Sequence, residues 1–169
     1  MMKTIRVITT VGTSMFTNYM DSKVEKAFEC NKNYESIKKD FDKVDMSLEQ
    51  YDEKVDRINN MKNILNNYWI KGISKYEGEW EFKADEYNFD ASAEIKSLNL
   101  IQQKYKGSNL IVELICTDTI LSKVSAELIK ENINQMNSNI TVKDIHVIKG
   151  LQINNCQDFK KIGLQNLYS

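Results

Sequence analysis

Residues 3–14 read KTIRVITTVGTS, an apolar run that stops at a glycine set among hydroxylated residues. Residues 4–11 carry four branched aliphatic side chains, which predicts a β-strand buried on both faces, as in a parallel sheet. Gly12 permits a tight turn after that strand. Thr13 or Ser14 can then cap a following helix, because a hydroxyl at that position accepts a backbone N–H. This stretch therefore predicts a strand–turn–helix unit.

Two more strands are predicted downstream, and a helix separates them. Residues 109–116 (NLIVELIC) form a near-continuous apolar run, and residues 140–148 (ITVKDIHVI) form a third strand. Between them, apolar residues recur at helical spacing over residues 120–133. Strands that alternate with helices through short connections indicate an α/β fold with parallel strands.

The middle of the chain has a different pattern. We interpret residues 1–169 as one domain in which residues 21–88 are a mainly helical insertion after the first strand. Apolar residues recur at steps of three and four over residues 37–68, which predicts a helical stripe. Residues 79–83 alternate like a short strand, and Asp90 precedes the start of a helix.

Composition limits the class of protein. The hydrophobic fraction of 41% and the charged fraction of 28% are typical of a soluble globular protein. A net charge of -1 does not suit a surface that binds long nucleic acid. We expect a cytoplasmic protein without a membrane partner, because no apolar run could span a bilayer and no signal peptide is recognisable. The three cysteines and His146 lack the spacing of a metal site, so we expect no metal and no cofactor. His146 is expected to be structural, and Trp69 and Trp80 to be core or interface anchors.

The turns after the three strands are candidate ligand-binding loops, since open parallel sheets bind ligands beyond the carboxyl ends of their strands. The turn at residues 12–14 places N–H groups and hydroxyls at a helix N-terminus, which suits phosphate, although an ordinary capped turn has the same pattern. It lacks the P-loop lysine and the GxGxxG spacing, so it is not a standard nucleotide site. Asp118 either stabilises its helix dipole or contacts a ligand. Lys149 is either a solvated lysine or a cation that reaches a phosphate.

Four segments resemble those of CARF domains, the CRISPR-associated Rossmann-fold sensors: VITTVGTSMFTN at 7–18, ASAEIKSL at 91–98, LICTDTILSKVSAE at 114–127 and HVIKGLQINNCQDFKKIGLQNL at 146–167. They come in the family's order and span nearly the whole chain. The resemblance implies a Rossmann-like open parallel sheet flanked by helices. It also implies a homodimer that binds cyclic oligoadenylate, the second messenger of type III CRISPR immunity, across its two-fold axis. An even-membered ring can share that symmetry, and a ring of four adenylates is expected from the family.

The resemblance further implies which residues surround the ligand. They are Gly12, Thr13, Ser14, Asn18, Thr117, Asp118, Thr119, Lys149, Gly150, Leu151 and Gln152. The ends of the first and third strands would lie side by side and face their copies in the second subunit. If the ring is cleaved, Ser14 and Lys149 would be the catalytic residues. Ser14 would orient the ribose 2′-hydroxyl or the phosphate, and Lys149 would stabilise the developing negative charge, without a metal.

Three functions remain open at this point. A sensor would bind the ring and pass the signal on. Because the chain carries no effector nuclease motif, the effector would be a separate protein, or the chain would be a fragment of a longer protein, or binding would only sequester the messenger. A ring nuclease would cleave the ring and end the signal, but slowly, since the sequence indicates no general base. A partner-docking regulatory module would act through the helices of residues 21–70.

Overall fold

The computed structural model describes residues 3–22, 51–137 and 139–150. Its strands and helices are, in chain order, β1 (Thr4–Val11), α1 (Ser14–Asp21), α2 (Val55–Leu65), β2 (Lys71–Tyr76), β3 (Glu79–Tyr87), α3 (Ala93–Lys104), β4 (Asn109–Thr117), α4 (Ile120–Met136) and β5 (Ile140–Ile148). None of these helices combines the length and the apolar character needed to cross a lipid bilayer.

β1, β4 and β5 form a parallel sheet in the order β1-β4-β5. This confirms the predicted fold class, a Rossmann-like open parallel sheet flanked by helices. The first and third predicted strands do not lie side by side, however, because β4 lies between them. β4 has the near-continuous apolar run that suits a central strand. β1 alternates between exposed and half-buried residues, so the prediction that it is buried on both faces is wrong.

The boundaries of the sheet strands and of α4 agree closely with the sequence patterns. β1 and β5 have the predicted limits, and β4 ends at Thr117 instead of at the predicted residue 116. α4 buries the predicted apolar stripe, including Val124 and Leu128, and ends before Asn137. The helical period and the buried stripe agree because one face of α4 packs on the sheet and the other meets water.

In the described part of the insertion after β1, a helical segment is followed by a β-hairpin. Residues 52–70 form α2 with a 3-10 turn before it and a π-helical turn after it. The predicted stripe between residues 37 and 50 lies outside the described residues. β2 and β3 pair through a two-residue turn in which Glu77 and Gly78 both have positive φ, the geometry that matches strand twist in hairpins. Gly72 lies in β2 at a register shift.

Aromatic residues attach the insertion to the sheet domain. The Trp69 side chain is buried, and its indole Nε1 donates a hydrogen bond to the carbonyl of Ala91 at 3.0 Å. Its ring lies edge-on to Tyr19 of α1 and 4.9 Å from the ring of Trp80 of β3. The prediction of a core position is therefore confirmed for Trp69.

A charged cluster joins α2 to α4 on the surface. The Lys62 ammonium lies 3.3 Å from Glu127 and 3.0 Å from Glu131. The Tyr51 hydroxyl donates a hydrogen bond to Glu127 at 3.3 Å. Burial alone would lower the pKa of Lys62, but the hydrogen bonds and negative charges of Glu131 and Glu127 raise it above its ordinary value. These contacts fix the insertion against α4.

One buried hydroxyl ties the carboxyl ends of two strands to α4. Ser122, in the first turn of α4, donates a hydrogen bond to the carbonyl of Val11 at 2.7 Å. The same oxygen accepts a hydrogen bond from the N–H of Thr117 at 3.1 Å. Ser122 is only 2% exposed, so neither backbone group has easy access to water.

Ser122→Ala is expected to lower the free energy of unfolding by about 2 kcal/mol, because it leaves a buried carbonyl and a buried N–H without a partner. Ser125 provides the matched control. It lies on the same helix, is equally buried, and its hydroxyl has no hydrogen-bond partner among the described residues. Ser125→Ala should change stability by less than about 0.5 kcal/mol. Urea unfolding of the three proteins measures both values, and equal losses in the two variants would contradict the bridging role.

Candidate ligand-binding site

The turns after β1, β4 and β5 lie along one edge of the sheet. Val11 pairs with Cys116, and Thr117 pairs with Ile148, so the three strands end together. Neighbouring strands are about 4.8 Å apart, which separates the turns after β1 and β5 by about 10 Å. The edge therefore places residues 12–14, 117–119 and 149–150 within reach of one ligand of several nucleotides.

A carboxylate that the sequence analysis did not identify holds the first turn. The N–H of Gly12 donates a hydrogen bond to Oε1 of Glu94 at 3.1 Å, and the hydroxyl of Ser14 donates to Oε2 at 2.9 Å. Glu94 lies in the first turn of α3 and is 8% exposed. These are two of the donors that we predicted for a phosphate. The one sequence signal for Glu94 was its place in the ASAEIKSL segment.

Ser14 contacts the start of a different helix from the one that it was predicted to cap. Its hydroxyl oxygen accepts a hydrogen bond from the N–H of Ala93 at 3.1 Å, at the start of α3. Thr13 is the N-cap residue of α1 but forms no capping hydrogen bond through its side chain. The prediction that Thr13 or Ser14 caps α1 in this way is wrong. The side chain of Ser14 connects the β1–α1 turn to α3 instead.

Asn18 lies one helical turn beyond Ser14 on the same side of α1. Its amide nitrogen donates a hydrogen bond to the carbonyl of Asp90 at 3.3 Å. It also borders a cavity of about 380 Å³ whose lining includes Trp69 and Trp80.

The second and third turns are joined by a hydrogen bond. Oδ2 of Asp118 accepts from the N–H of Gly150 at 3.2 Å, and the hydroxyls of Thr117 and Thr119 lie 3.0 Å apart. Asp118 thus fixes the position of the turn after β5, a role that the sequence analysis did not foresee. Burial raises the pKa of the adjacent Cys116 thiol to about 11, with a further contribution from the charge of Glu127. A thiol with that pKa stays protonated at neutral pH and is a poor nucleophile.

The third turn presents a cation. Lys149 is exposed and forms no ion pair with any residue of the ranges 3–22, 51–137 and 139–150. Gly150 has a φ of 69°, a backbone conformation that favours glycine. The candidate residues Leu151 and Gln152 lie outside the described residues.

His146 belongs to a separate surface feature. Its Nε2 lies 3.2 Å from a carboxylate oxygen of Glu113, and half of the imidazole side chain is exposed. The pair borders a groove of about 450 Å³ on the sheet face, beside Ile8 and Ile115. Within the described part of the chain, no three histidine, cysteine, aspartate or glutamate side chains are grouped as metal ligands would be.

A comparison with protein families places part of the chain in a CRISPR context. Residues 89–169 match the family model of a CRISPR-associated protein, Cas_APE2256. The matched region contains Glu94, Asp118 and Lys149, and it begins after β1 and the insertion. A comparison with curated proteins finds no match to the chain. The family match supports an association with CRISPR systems.

Two glycines of the site provide a matched pair of substitutions. An added Cβ would have no heavy atom within 4 Å at either position, but only Gly150 has a positive φ. Gly150→Ala is expected to lower the free energy of unfolding by about 1 kcal/mol, because alanine is strained in that conformation. Gly12→Ala should leave stability unchanged or raise it by about 0.5 kcal/mol. Thermal and urea unfolding test the pair, and a larger loss in Gly12→Ala would contradict the geometry of the first turn.

Proposed function

We propose that this chain binds cyclic oligoadenylate at the carboxyl edge of the β1-β4-β5 sheet and acts as a cytoplasmic sensor in type III CRISPR immunity. The observation that supports this best is the convergence of three polar turns on one edge, including a cation in the third turn. The match to a CRISPR-associated family over residues 89–169 provides the biological context. A ring of four adenylates is the expected ligand, and a separate effector protein would receive the signal.

The electrostatics of the edge suit a compact polyanion. Lys149 has no carboxylate partner among the described residues, so its charge is available to a ligand phosphate. The Asp118 hydrogen bond to Gly150 restrains the turn that carries this lysine. In a homodimer, two copies of Lys149 would meet one ring across the two-fold axis. This arrangement needs no excess of positive charge over the whole chain, whose net charge is -1.

A ring nuclease is the second candidate, and the contact between Ser14 and Glu94 favours it. Attack by a ribose 2′-hydroxyl on the adjacent phosphate requires alignment and stabilisation of negative charge. Ser14 would align the hydroxyl from one side of the edge. Lys149 would stabilise the phosphorane-like charge from the other. The sequence indicated no general base, but a carboxylate lies 2.9 Å from the Ser14 hydroxyl.

One incubation experiment distinguishes the sensor from the ring nuclease. Wild-type protein in excess is mixed with cyclic tetra-adenylate or cyclic hexa-adenylate in EDTA, and both the bound fraction and the linear products are followed for hours. Tight binding of the tetramer without products supports the sensor and excludes the nuclease. Linear products support the nuclease. Failure to bind either ring contradicts the proposed function.

Lys149→Ala is expected to weaken binding of cyclic tetra-adenylate by about tenfold or more, the size of one charge-assisted contact. Lys143→Ala is the matched control, because Lys143 is an exposed lysine of β5, the strand that precedes the Lys149 turn, at a distance from the edge. If the ring is cleaved, Ser14→Ala and Lys149→Ala should each slow cleavage by at least about tenfold. Calorimetric titration and product analysis measure these effects. Equal affinities of the two lysine variants would contradict the role of Lys149.

A further inference from the structure

We infer that Glu94 determines which group of the ligand the β1–α1 turn accepts, and that this group is a ribose hydroxyl rather than a phosphate. The inference rests on the proposed function, since it assigns one part of a cyclic oligoadenylate to one part of the same edge. It makes Glu94 a positioning residue that acts through Ser14.

The hydrogen bonds of Ser14 leave it only one way to contact a ligand. A serine hydroxyl has one proton and two lone pairs. The proton points to Oε2 of Glu94 at 2.9 Å, and one lone pair receives the N–H of Ala93 at 3.1 Å. The remaining lone pair can accept a hydrogen bond but cannot donate one. A ribose hydroxyl can supply a proton to it, whereas a phosphodiester oxygen cannot.

One backbone donor of the same turn is also occupied. The N–H of Gly12 is directed to Oε1 of Glu94 at 3.1 Å. Both carboxylate oxygens therefore accept a hydrogen bond from the turn, the pattern of an ionised carboxylate. A phosphate would have to displace Glu94 to reach either donor.

The charge of Glu94 acts in the same direction. Glu94 is 8% exposed and forms no ion pair with any side chain in the described part of the chain. A carboxylate shielded from water repels a nearby phosphate more strongly than an exposed one would. The two ends of this edge therefore suit different chemical groups. The β5 turn, with Lys149, suits phosphate, and the β1 turn, about 10 Å away across β4, suits a hydroxyl.

The test compares two rings on three proteins. Calorimetry at low temperature measures the affinity of cyclic tetra-adenylate and of the same ring with every 2′-hydroxyl replaced by hydrogen. Wild-type protein should prefer the ribose ring by roughly tenfold or more, the value of a hydrogen bond in a charged network. Glu94→Gln should reduce this preference to within about threefold, because the amide has one acceptor oxygen and cannot hold both the Ser14 proton and the Gly12 N–H. Glu131→Gln, which makes the same charge change on the exposed face of α4, should keep the wild-type preference.

Ser14→Ala provides a second variant that leaves Glu94 in place. It should lose the preference for the ribose ring, so that the two rings bind this variant with similar affinities. If Glu94→Gln fails to fold, this variant decides the inference. A wild-type protein that binds both rings equally, or variants that keep the full preference, would overturn it.

A titration with pyrophosphate separates this inference from the proposed function. In Glu94→Gln, the freed donors should bind the anion, and the amide NMR signals of Gly12 and Ser14 should shift. In the wild-type protein they should not. If neither ring binds the wild-type protein, the proposed function fails, and the pyrophosphate result still decides the role of Glu94. Pyrophosphate shifts of equal size in the two proteins would overturn the inference.

Discussion

The hydroxyl of Ser122 joins the carboxyl ends of β1 and β4, and the candidate site takes its position from that contact. Parallel pairing brings the strand ends to one edge, but it does not by itself fix the angle at which α4 leaves the sheet. Because Ser122 lies in the first turn of α4, its two hydrogen bonds set where the Asp118 turn begins. Asp118 in turn holds Gly150, so the position of Lys149 depends on the same buried hydroxyl.

The edge that results is chemically asymmetric. Lys149, which has no ion-pair partner among the described residues, stands at one end, and a buried carboxylate bound to two donors stands at the other. An edge that bound only anions would present unoccupied N–H groups at both of its ends. The asymmetry suits a ligand that alternates phosphates with hydroxyl-bearing sugars, and it explains how a chain of net charge -1 could bind a polyanion.

Local patterns of the sequence predicted those parts of the fold that local physics decides. The limits of β1 and β5 and the buried stripe of α4 follow from residue periodicity over a few turns or pleats, so they were predicted correctly. The order of the strands was predicted wrongly, because an apolar run does not specify which strand takes the central position. The central place of β4 and the exposure of Ile8 on β1 emerge only from the assembled sheet.

The positions of the three candidate turns were predictable for the same reason. The three turns follow from the strand ends, and sequence reasoning placed Ser14, Asp118 and Lys149 on them. Glu94 was missed because it meets Ser14 across 80 positions of sequence, and no local spacing reports such a contact. The capping role of Ser14 was assigned to the wrong helix because its partner, Ala93, is equally remote.

We propose that two copies of this edge enclose one cyclic oligoadenylate. Native mass spectrometry of the wild-type protein with cyclic tetra-adenylate provides a direct test. We expect a complex of two chains with one ring, at protein concentrations where each chain is folded. A complex of one chain with one ring, or a ring that leaves every chain free, would contradict it.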